Sequence, residues 1–296
     1  MKTTILLLCI CVLSSAFPAN VYKAISSRAK STAASATLPF VWFSLIALFF
    51  TVLAWLSEES YSLLAFLIAA LSGICLFIAV FLLIESMKVA SLSLSVVIVN
   101  LNFIVPVVLS ALFLGESIGL IQLIGVLLSI AVIIGTNLSG GSNRKTDLRS
   151  ILLPLIACLS NGLVNFCIKL NESLNLDGLP FFSMMYWVAA LSALGFGFIV
   201  SFKKDRNLRP LAGFPLRKIF PLLLFLGVCN GICFYVAGML AARMNAAAQF
   251  TIVTCASILL SVVIGALFQG DRLDKKSVIS MLACAAAVLC QYAGFF

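Results

Sequence analysis

The stretch YSLLAFLIAALSGICLFIAVFLLIESM, residues 61–87, decides the fold of this chain. It is 27 residues long, and its only charged residue, Glu85, lies close to its end. A helix needs about 20 residues to cross a hydrocarbon core of about 30 Å. A charge at mid-membrane costs about 2.5–3.5 kcal/mol. The stretch therefore predicts a transmembrane helix whose one charge lies near the membrane surface.

Nine further apolar stretches surround this one, and the charged residues of the chain fall at or between their ends. The composition, with 63% hydrophobic and 10% charged residues, excludes a soluble domain. Stretches of this length are too long for the strands of a membrane barrel, so they indicate helices. We predict an all-α polytopic membrane protein with ten transmembrane helices, at 4–22, 37–56, 61–87, 91–114, 118–137, 150–169, 179–201, 218–241, 245–268 and 277–296.

The chain also repeats itself. LSSAFPANVYK (13–23) aligns without gaps with LSNGLVNFCIK (159–169). At a slightly larger offset, MKVASLS (87–93) aligns with ARMNAAA (242–248). Matches at both the start and the later part of each half indicate two copies of one unit.

Each copy contains five of the ten predicted spans. The first repeat is predicted at 1–138 and the second at 150–296, with a polar linker at 139–149 between them. Because five is an odd number, the two halves enter the membrane in opposite orientations, as in many secondary transporters. The first twenty residues resemble a secretory signal, but their repeat counterpart is span six, so we expect them to remain as a helix.

The later part of each half resembles a known family. The two stretches are IESMKVASLSLSVVIVNLNFIVPVVLSALFLGESIGLIQLIGVLLSIAVIIG (84–135) and AARMNAAAQFTIVTCASILLSVVIGALFQGDRLDKKSVISMLACAAAVLC (241–290). Both look like the drug/metabolite transporter (DMT) superfamily, EamA-like branch. The resemblance implies two inverted five-helix repeats that transport small organic solutes. Phe17-Pro18 in the first span departs from the usual family pattern, so the sub-family stays open.

Positive charge is distributed unevenly between the two predicted sides of the membrane. Of the 19 lysines and arginines, all but Lys2, Lys169 and Arg243 would lie on one side. The positive-inside rule makes that side cytoplasmic, with both termini outside, whereas the resemblance implies both termini inside. We follow the charges and predict that linker 202–217 is cytoplasmic. The net charge of +9 then reflects loops near anionic lipids and not a nucleic-acid surface.

Amides are the most informative polar residues within the spans, because an unpaired amide in hydrocarbon is costly. Asn100 and Asn102 lie near the middle of span four, just before Pro106, which removes a backbone hydrogen bond and loosens the helix. Two residues cover about 200° of an α-helix, so we expect only one of them to face a central cavity. We assign Asn102 to the cavity and Asn100 to a bond with a neighbouring helix.

A polar stripe marks span six. Asn161, Asn165 and Lys169 recur every four residues and therefore share one helix face. The stripe lines a cavity or bonds to neighbouring helices, and Lys169 can also extend toward the membrane surface.

Further candidates for substrate binding lie in three other spans. Asn20 is near the end of span one, and Thr254 is in span nine. Tyr186 and Trp187 lie inside span seven, where an aromatic pair forms either a stacking wall for a substrate or ordinary helix packing.

The acidic residues near the spans have structural interpretations. Glu85 lies near a span end and is expected to pair with Lys88 three residues later, so proton coupling is not indicated. Glu116 follows a glycine and is interpreted as a turn and helix-cap residue.

The chemistry available to the chain favours a carrier. It has no histidine and ten cysteines without a CxxC motif, so we predict no catalytic residue, metal or cofactor, and a membrane enzyme or a channel is disfavoured. Uncharged spans with amides favour a small neutral, zwitterionic or amphipathic metabolite, amino-acid-like or drug-like, as the solute. The inverted repeat favours alternating access, and we expect export as the direction. A sugar or nucleoside uptake carrier is the alternative.

The expected partners follow from this interpretation. They are a small-molecule substrate and the lipid bilayer, with no nucleic acid. We expect a multi-pass protein of the plasma or inner membrane that is a monomer or a homodimer.

Overall fold

The structure is a computed structural model that describes residues 2–29, 31–89, 95, 98–137, 148–205, 216–268, 282–283 and 285–291. Over these ranges the chain contains no strand, which confirms the all-α prediction. The helices are α1 (Lys2–Ala16), α2 (Pro18–Arg28), α3 (Thr32–Leu56), α4 (Leu63–Val89), α5 (Ile104–Phe113), α6 (Leu120–Asn137), α7 (Leu148–Ser173), α8 (Gly178–Asp205), α9 (Leu216–Ala241) and α10 (Ala246–Phe268). A 3-10 turn at Leu101–Phe103 precedes α5, and residues 285–291 are also helical.

Five of the described helices are long and apolar enough to cross a membrane. Their qualifying parts are Thr32–Leu56, Leu63–Val89, Leu148–Ser173, Gly178–Lys203 and Ile219–Ala241. Shorter apolar helices lie in the predicted spans one, four, five and nine, at Lys2–Ala16, Ile98–Phe113, Leu120–Ala131 and Ala246–Leu260. Most of span ten and the linker at 139–147 lie outside the described residues. The chain is thus a multi-pass membrane protein, and the count of ten helices stays a prediction.

The first predicted span, 4–22, is not one helix. The structure divides it into α1 and α2 at Phe17, and α2 continues through residues that were predicted to be a linker. Pro18 is the cause, because it has no N–H to donate and its ring disfavours a position inside a helix, whereas the first position of a new helix suits it.

The helices pack in pairs that are symmetric under exchange of the two halves. In that exchange α1 corresponds to α7, α3 to α8, α4 to α9 and α5 to α10. The packing of α4 on α7 has its counterpart in α9 on α1, and that of α5 on α7 in α10 on α1. The contact of α3 with α8, which is the most extensive, is its own counterpart.

The bundle has two distinct ends, which we name after their lysines. At the Lys169 end, where α3 and α7 finish, Ser60 donates two hydrogen bonds to the Asp177 carboxylate, at 3.0 and 2.9 Å. At the Lys88 end, where α4 finishes and α3 begins, the Lys88 ammonium lies 2.6 Å from Glu85. The predicted Glu85–Lys88 pair is therefore confirmed.

Aromatic side chains hold α3, α8 and α9 together on one side of the bundle. Trp42, Phe43, Phe50, Phe182 and Tyr186 are all 2% exposed or less. The rings of Phe50 and Tyr186 stack with centroids 6.0 Å apart and planes within 9°. This packed side leaves space on the other, where α1, α4, α7, α9 and α10 converge.

Candidate functional site

A cavity of about 220 Å³ lies between α1, α2, α4, α7, α9 and α10, with the segment 99–102 completing part of its wall. Apolar side chains such as Leu76, Val80 and Phe234 form much of the surface. No described residue of the wall is charged. The polar ones are Ser14, Ser15, Tyr22, Asn100, Asn102, Asn161, Asn165, Asn230, Gln249, Thr254 and Ser257.

Five of the predicted site residues meet in this cavity. They are Asn100, Asn102, Asn161, Asn165 and Thr254. None of their side chains forms a hydrogen bond with another described residue. Each asparagine side chain carries two N–H donors and an acceptor oxygen, and these groups are available to a solute or to water. The helix of Asn20 is described, but the side chain of Asn20 is not.

The prediction that only Asn102 faces the cavity is wrong, because Asn100 lines it too. The reasoning assumed a straight α-helix, whereas residues 101–103 form a 3-10 turn. A 3-10 turn advances about 120° per residue, so positions two apart lie about 120° apart around the axis instead of about 160°. Pro106 contributes to this irregularity because it cannot donate to the Asn102 carbonyl.

Close helix contact holds the two asparagine pairs near one another. A Cβ atom built on Gly162, which follows Asn161, would lie 2.5 Å from Val105 Cβ and 2.7 Å from the Asn102 carbonyl oxygen. Only glycine therefore allows α7 to approach the 3-10 turn this closely.

Gly162→Ala is expected to destabilise the protein by about 1–3 kcal/mol, because the added methyl group overpacks this contact. It should also raise the KM for transport, since the asparagines on the two sides of the contact are pushed apart. Gly195→Ala is the matched control, because no atom of a neighbouring described helix lies within 4 Å of its Cβ position. Thermal unfolding of the two purified variants measures the change in stability that each substitution causes. Equal unfolding temperatures would contradict the prediction.

Several cavity residues were not predicted. Ser15 and Ser257 line the wall, and the repeat aligns them with Asn161 and Asn102, so the alignment relates each of them to a predicted site residue. Tyr22 also lines the cavity, and its hydroxyl accepts a hydrogen bond from the Asn230 amide at 3.2 Å. No sequence pattern marked Tyr22.

Tyr186 and Trp187 lie outside the cavity, so the stacking wall, one of the two interpretations of this pair, is not formed there. Tyr186 is 0% exposed, and its hydroxyl donates to the Asn230 carbonyl at 3.3 Å. The Trp187 indole donates to the Thr51 hydroxyl at 3.0 Å. Both residues belong to the face of α8 that packs on α3, so ordinary helix packing is the correct interpretation.

Lys169 also lies outside the cavity, one turn beyond Asn165. Its side chain is 7% exposed, and its ammonium is 2.9 Å from the Glu116 carboxylate. It donates to the carbonyls of Ala241 and Met244, at 2.6 Å each. The other Glu116 oxygen accepts from the Ala246 N–H at 2.7 Å and so caps α10. We call these five residues the Lys169 cluster.

Similarity to known proteins agrees with this architecture. The model of the EamA-like transporter family matches residues 2–138 and 148–292. No curated protein matches the sequence. A crystal structure of a protein with 13% sequence identity has a TM-score of 0.70, with 98% of this chain and 96% of that chain covered. At this identity the likeness concerns the fold alone.

Proposed function

The chain belongs to the EamA-like transporter family, and from this we infer that it is a secondary carrier of small neutral or zwitterionic organic solutes. Family membership makes the protein a membrane transporter of the drug/metabolite superfamily. That it acts as a carrier and not as an enzyme is part of our proposal. The substrate, the mechanism and the direction of transport are our proposal. We propose alternating access, with export as the direction and the plasma or inner membrane as the location.

The observation that carries this proposal is the cavity of unpartnered amides. Four asparagines and Thr254 line it without side-chain bonds to other described residues. Buried polar groups in proteins are usually hydrogen-bonded, so such groups suit a cavity that accepts a polar solute. The absence of charge among the described wall residues disfavours multivalent ions, because nothing there compensates for their desolvation.

The cavity volume indicates the size of the solute. At about 220 Å³ it is smaller than the pockets of about 300–1,000 Å³ that enclose drug-sized ligands. This favours an amino-acid-sized metabolite over a larger drug-like compound.

The proposed mechanism uses an inverted repeat of ten helices. The symmetric pairing of α4 with α7 and of α9 with α1 supports a pseudo-two-fold relation between the halves. With five spans in each half, the axis would lie in the membrane plane, and rocking one half against the other would expose the cavity to each side in turn.

A sugar or nucleoside uptake carrier is the second candidate. Amides also pair with hydroxyl groups, and the mixed apolar and amide wall would accept such a solute. Only direct measurement of substrates separates the two candidates.

The test is counterflow in proteoliposomes that contain the purified protein. Vesicles are loaded with unlabelled amino acids, sugars or nucleosides, and the uptake of each labelled solute is followed over time. We expect saturable counterflow for at least one small solute. Flux that rises linearly with concentration, without counterflow, would indicate a channel and would contradict the proposal.

The orientation predicted from charge is testable by cysteine labelling in intact cells. Asn207, in linker 202–217, lies outside the described residues, and Asn207→Cys should resist an impermeant reagent until the cells are permeabilised. Ser57→Cys is the control, because Ser57 is exposed at the Lys169 end and should be labelled in intact cells. The reverse pattern would give the chain the usual topology of the superfamily.

A further inference from the structure

A stripe of polar residues on α7 leads from the cavity to a buried cation. Asn161 and Asn165 line the cavity, and Lys169 follows one turn later, about 6 Å further along the axis. The cavity wall ends at Asn165 on α7 and at Ala237 on α9. The Lys169 cluster occupies the next turn of both helices, directly beyond the cavity wall at the Lys169 end.

The three acceptors around the Lys169 ammonium differ in how they are held. The carbonyls of Ala241 and Met244 belong to the corner between α9 and α10, so they cannot leave without a change in the backbone. The third acceptor is the side-chain carboxylate of Glu116, at 2.9 Å. Rotation of one side chain releases it, with the loss of its second bond, to the Ala246 N–H. The ammonium then offers a single free donor position.

An ammonium this deeply buried needs a negative partner at every stage of transport. The Lys169 side chain is 7% exposed, and an uncompensated buried charge is strongly unfavourable. The group that replaces Glu116 must therefore carry a similar charge and similar acceptor oxygens. A carboxylate on the solute meets both requirements.

We propose that Lys169 receives the carboxylate of the transported solute, which displaces Glu116 and so opens the cavity at the Lys169 end. The solutes are then small monocarboxylates, including zwitterionic amino acids. One lysine matches one carboxylate, and the amides of Asn161 and Asn165 contact the rest of the molecule. A solute without a carboxylate leaves the Lys169–Glu116 pair closed. This inference rests on the proposed carrier function and names its substrate class.

The first test compares acids with their amides in the proteoliposome counterflow assay. The panel contains α-amino acids and unbranched monocarboxylates with two to six carbon atoms, each paired with its primary amide. We expect each transported acid to exceed its amide by at least about tenfold, because loss of the carboxylate leaves the site unpaired. Equal rates for acid and amide would overturn the inference and leave the carrier function intact.

The second test removes the negative charge of Glu116, which competes with the solute carboxylate for Lys169. Glu116→Gln keeps the size and the acceptor oxygen of the side chain, and it should lower the KM for acids by about tenfold without changing that for amides. Glu58→Gln is the matched control, because it removes an exposed carboxylate at the same end that has no partner among the described residues. An unchanged KM in folded Glu116→Gln would overturn the inference. If this variant does not fold, the acid–amide comparison decides.

The two proposals fail in different ways. Counterflow of sugars or nucleosides alone, with neither acids nor amides moved, would overturn the carboxylate inference and leave a carrier. No saturable flux with any class of solute would contradict the carrier function itself.

Discussion

Replacing Asn102 with alanine is expected to lower transport by about three- to tenfold while the protein stays folded. Its side chain lines the cavity and bonds to no other described residue, so alanine removes a group offered to the solute and no bond of the fold. A hydrogen bond is worth about 0.5–1.5 kcal/mol, and 1.4 kcal/mol corresponds to a factor of ten. The kcat/KM of counterflow and the unfolding temperature, measured on one preparation, separate the two effects.

Asn100→Ala is expected to act in the same way, since Asn100 also borders the cavity without a side-chain partner. Asn245→Ala is the opposite case and serves as the control. The Asn245 oxygen accepts from the Ala248 N–H at 3.0 Å, and its amide donates to Gln122 at 3.2 Å. Its loss should cost about 1 kcal/mol of stability and leave KM unchanged. Parental transport by Asn102→Ala would exclude Asn102 from the site.

The cavity residues that the sequence predicted are those whose evidence lies within one helix. Asn161 and Asn165 stood out because a four-residue spacing places amides on one face of an apolar helix. The wall formed by Tyr22 and Asn230 was less visible, because these two residues belong to helices of different halves and meet only in the folded bundle.

The general architecture of the fold was predictable, but its local irregularities were not. Apolar length and the internal repeat were enough for an all-α membrane protein with two related halves. The break at Phe17 and the 3-10 turn at Leu101–Phe103 could not be predicted in this way. Pro18 lies next to the first of these places and Pro106 shortly after the second. A proline removes one backbone bond, but whether the chain then bends, ends a helix or tightens it depends on the neighbouring helices.

The environment of the Lys169 side chain shows why side-chain partners were the hardest feature to predict. The sequence offered three environments for it: a wet cavity, a neighbouring helix or the membrane surface. Its actual partner, Glu116, is in the turn before α6, and its carbonyl acceptors are in a third segment. The interpretation of Glu116 as a helix cap was compatible with its bond to Ala246 but did not reveal the ion pair.

Lys169→Met is expected to lower the free energy of unfolding by about 3–5 kcal/mol. Methionine fills the space but leaves the Glu116 carboxylate, whose side chain is 20% exposed, without its cation. Loss of one partner from a buried pair is costly because the other charge stays desolvated. The Ala241 and Met244 carbonyls lose their donor as well. Denaturant or thermal unfolding in detergent or in nanodiscs measures the loss.

The matched control is Lys88→Met at the opposite end of the bundle. The Lys88–Glu85 pair is three residues apart, its lysine is 21% exposed, and the ammonium also donates to the Ser35 hydroxyl at 2.6 Å. Its loss should therefore cost about 1 kcal/mol, less than the loss of the more deeply buried Lys169. Adding Glu116→Gln to Lys169→Met should restore part of the stability, because the unpaired carboxylate is then removed. If Lys169→Met costs no more than Lys88→Met, the Lys169 cluster does not stabilise this end of the bundle, since the buried lysine would then be worth no more than a partly exposed one.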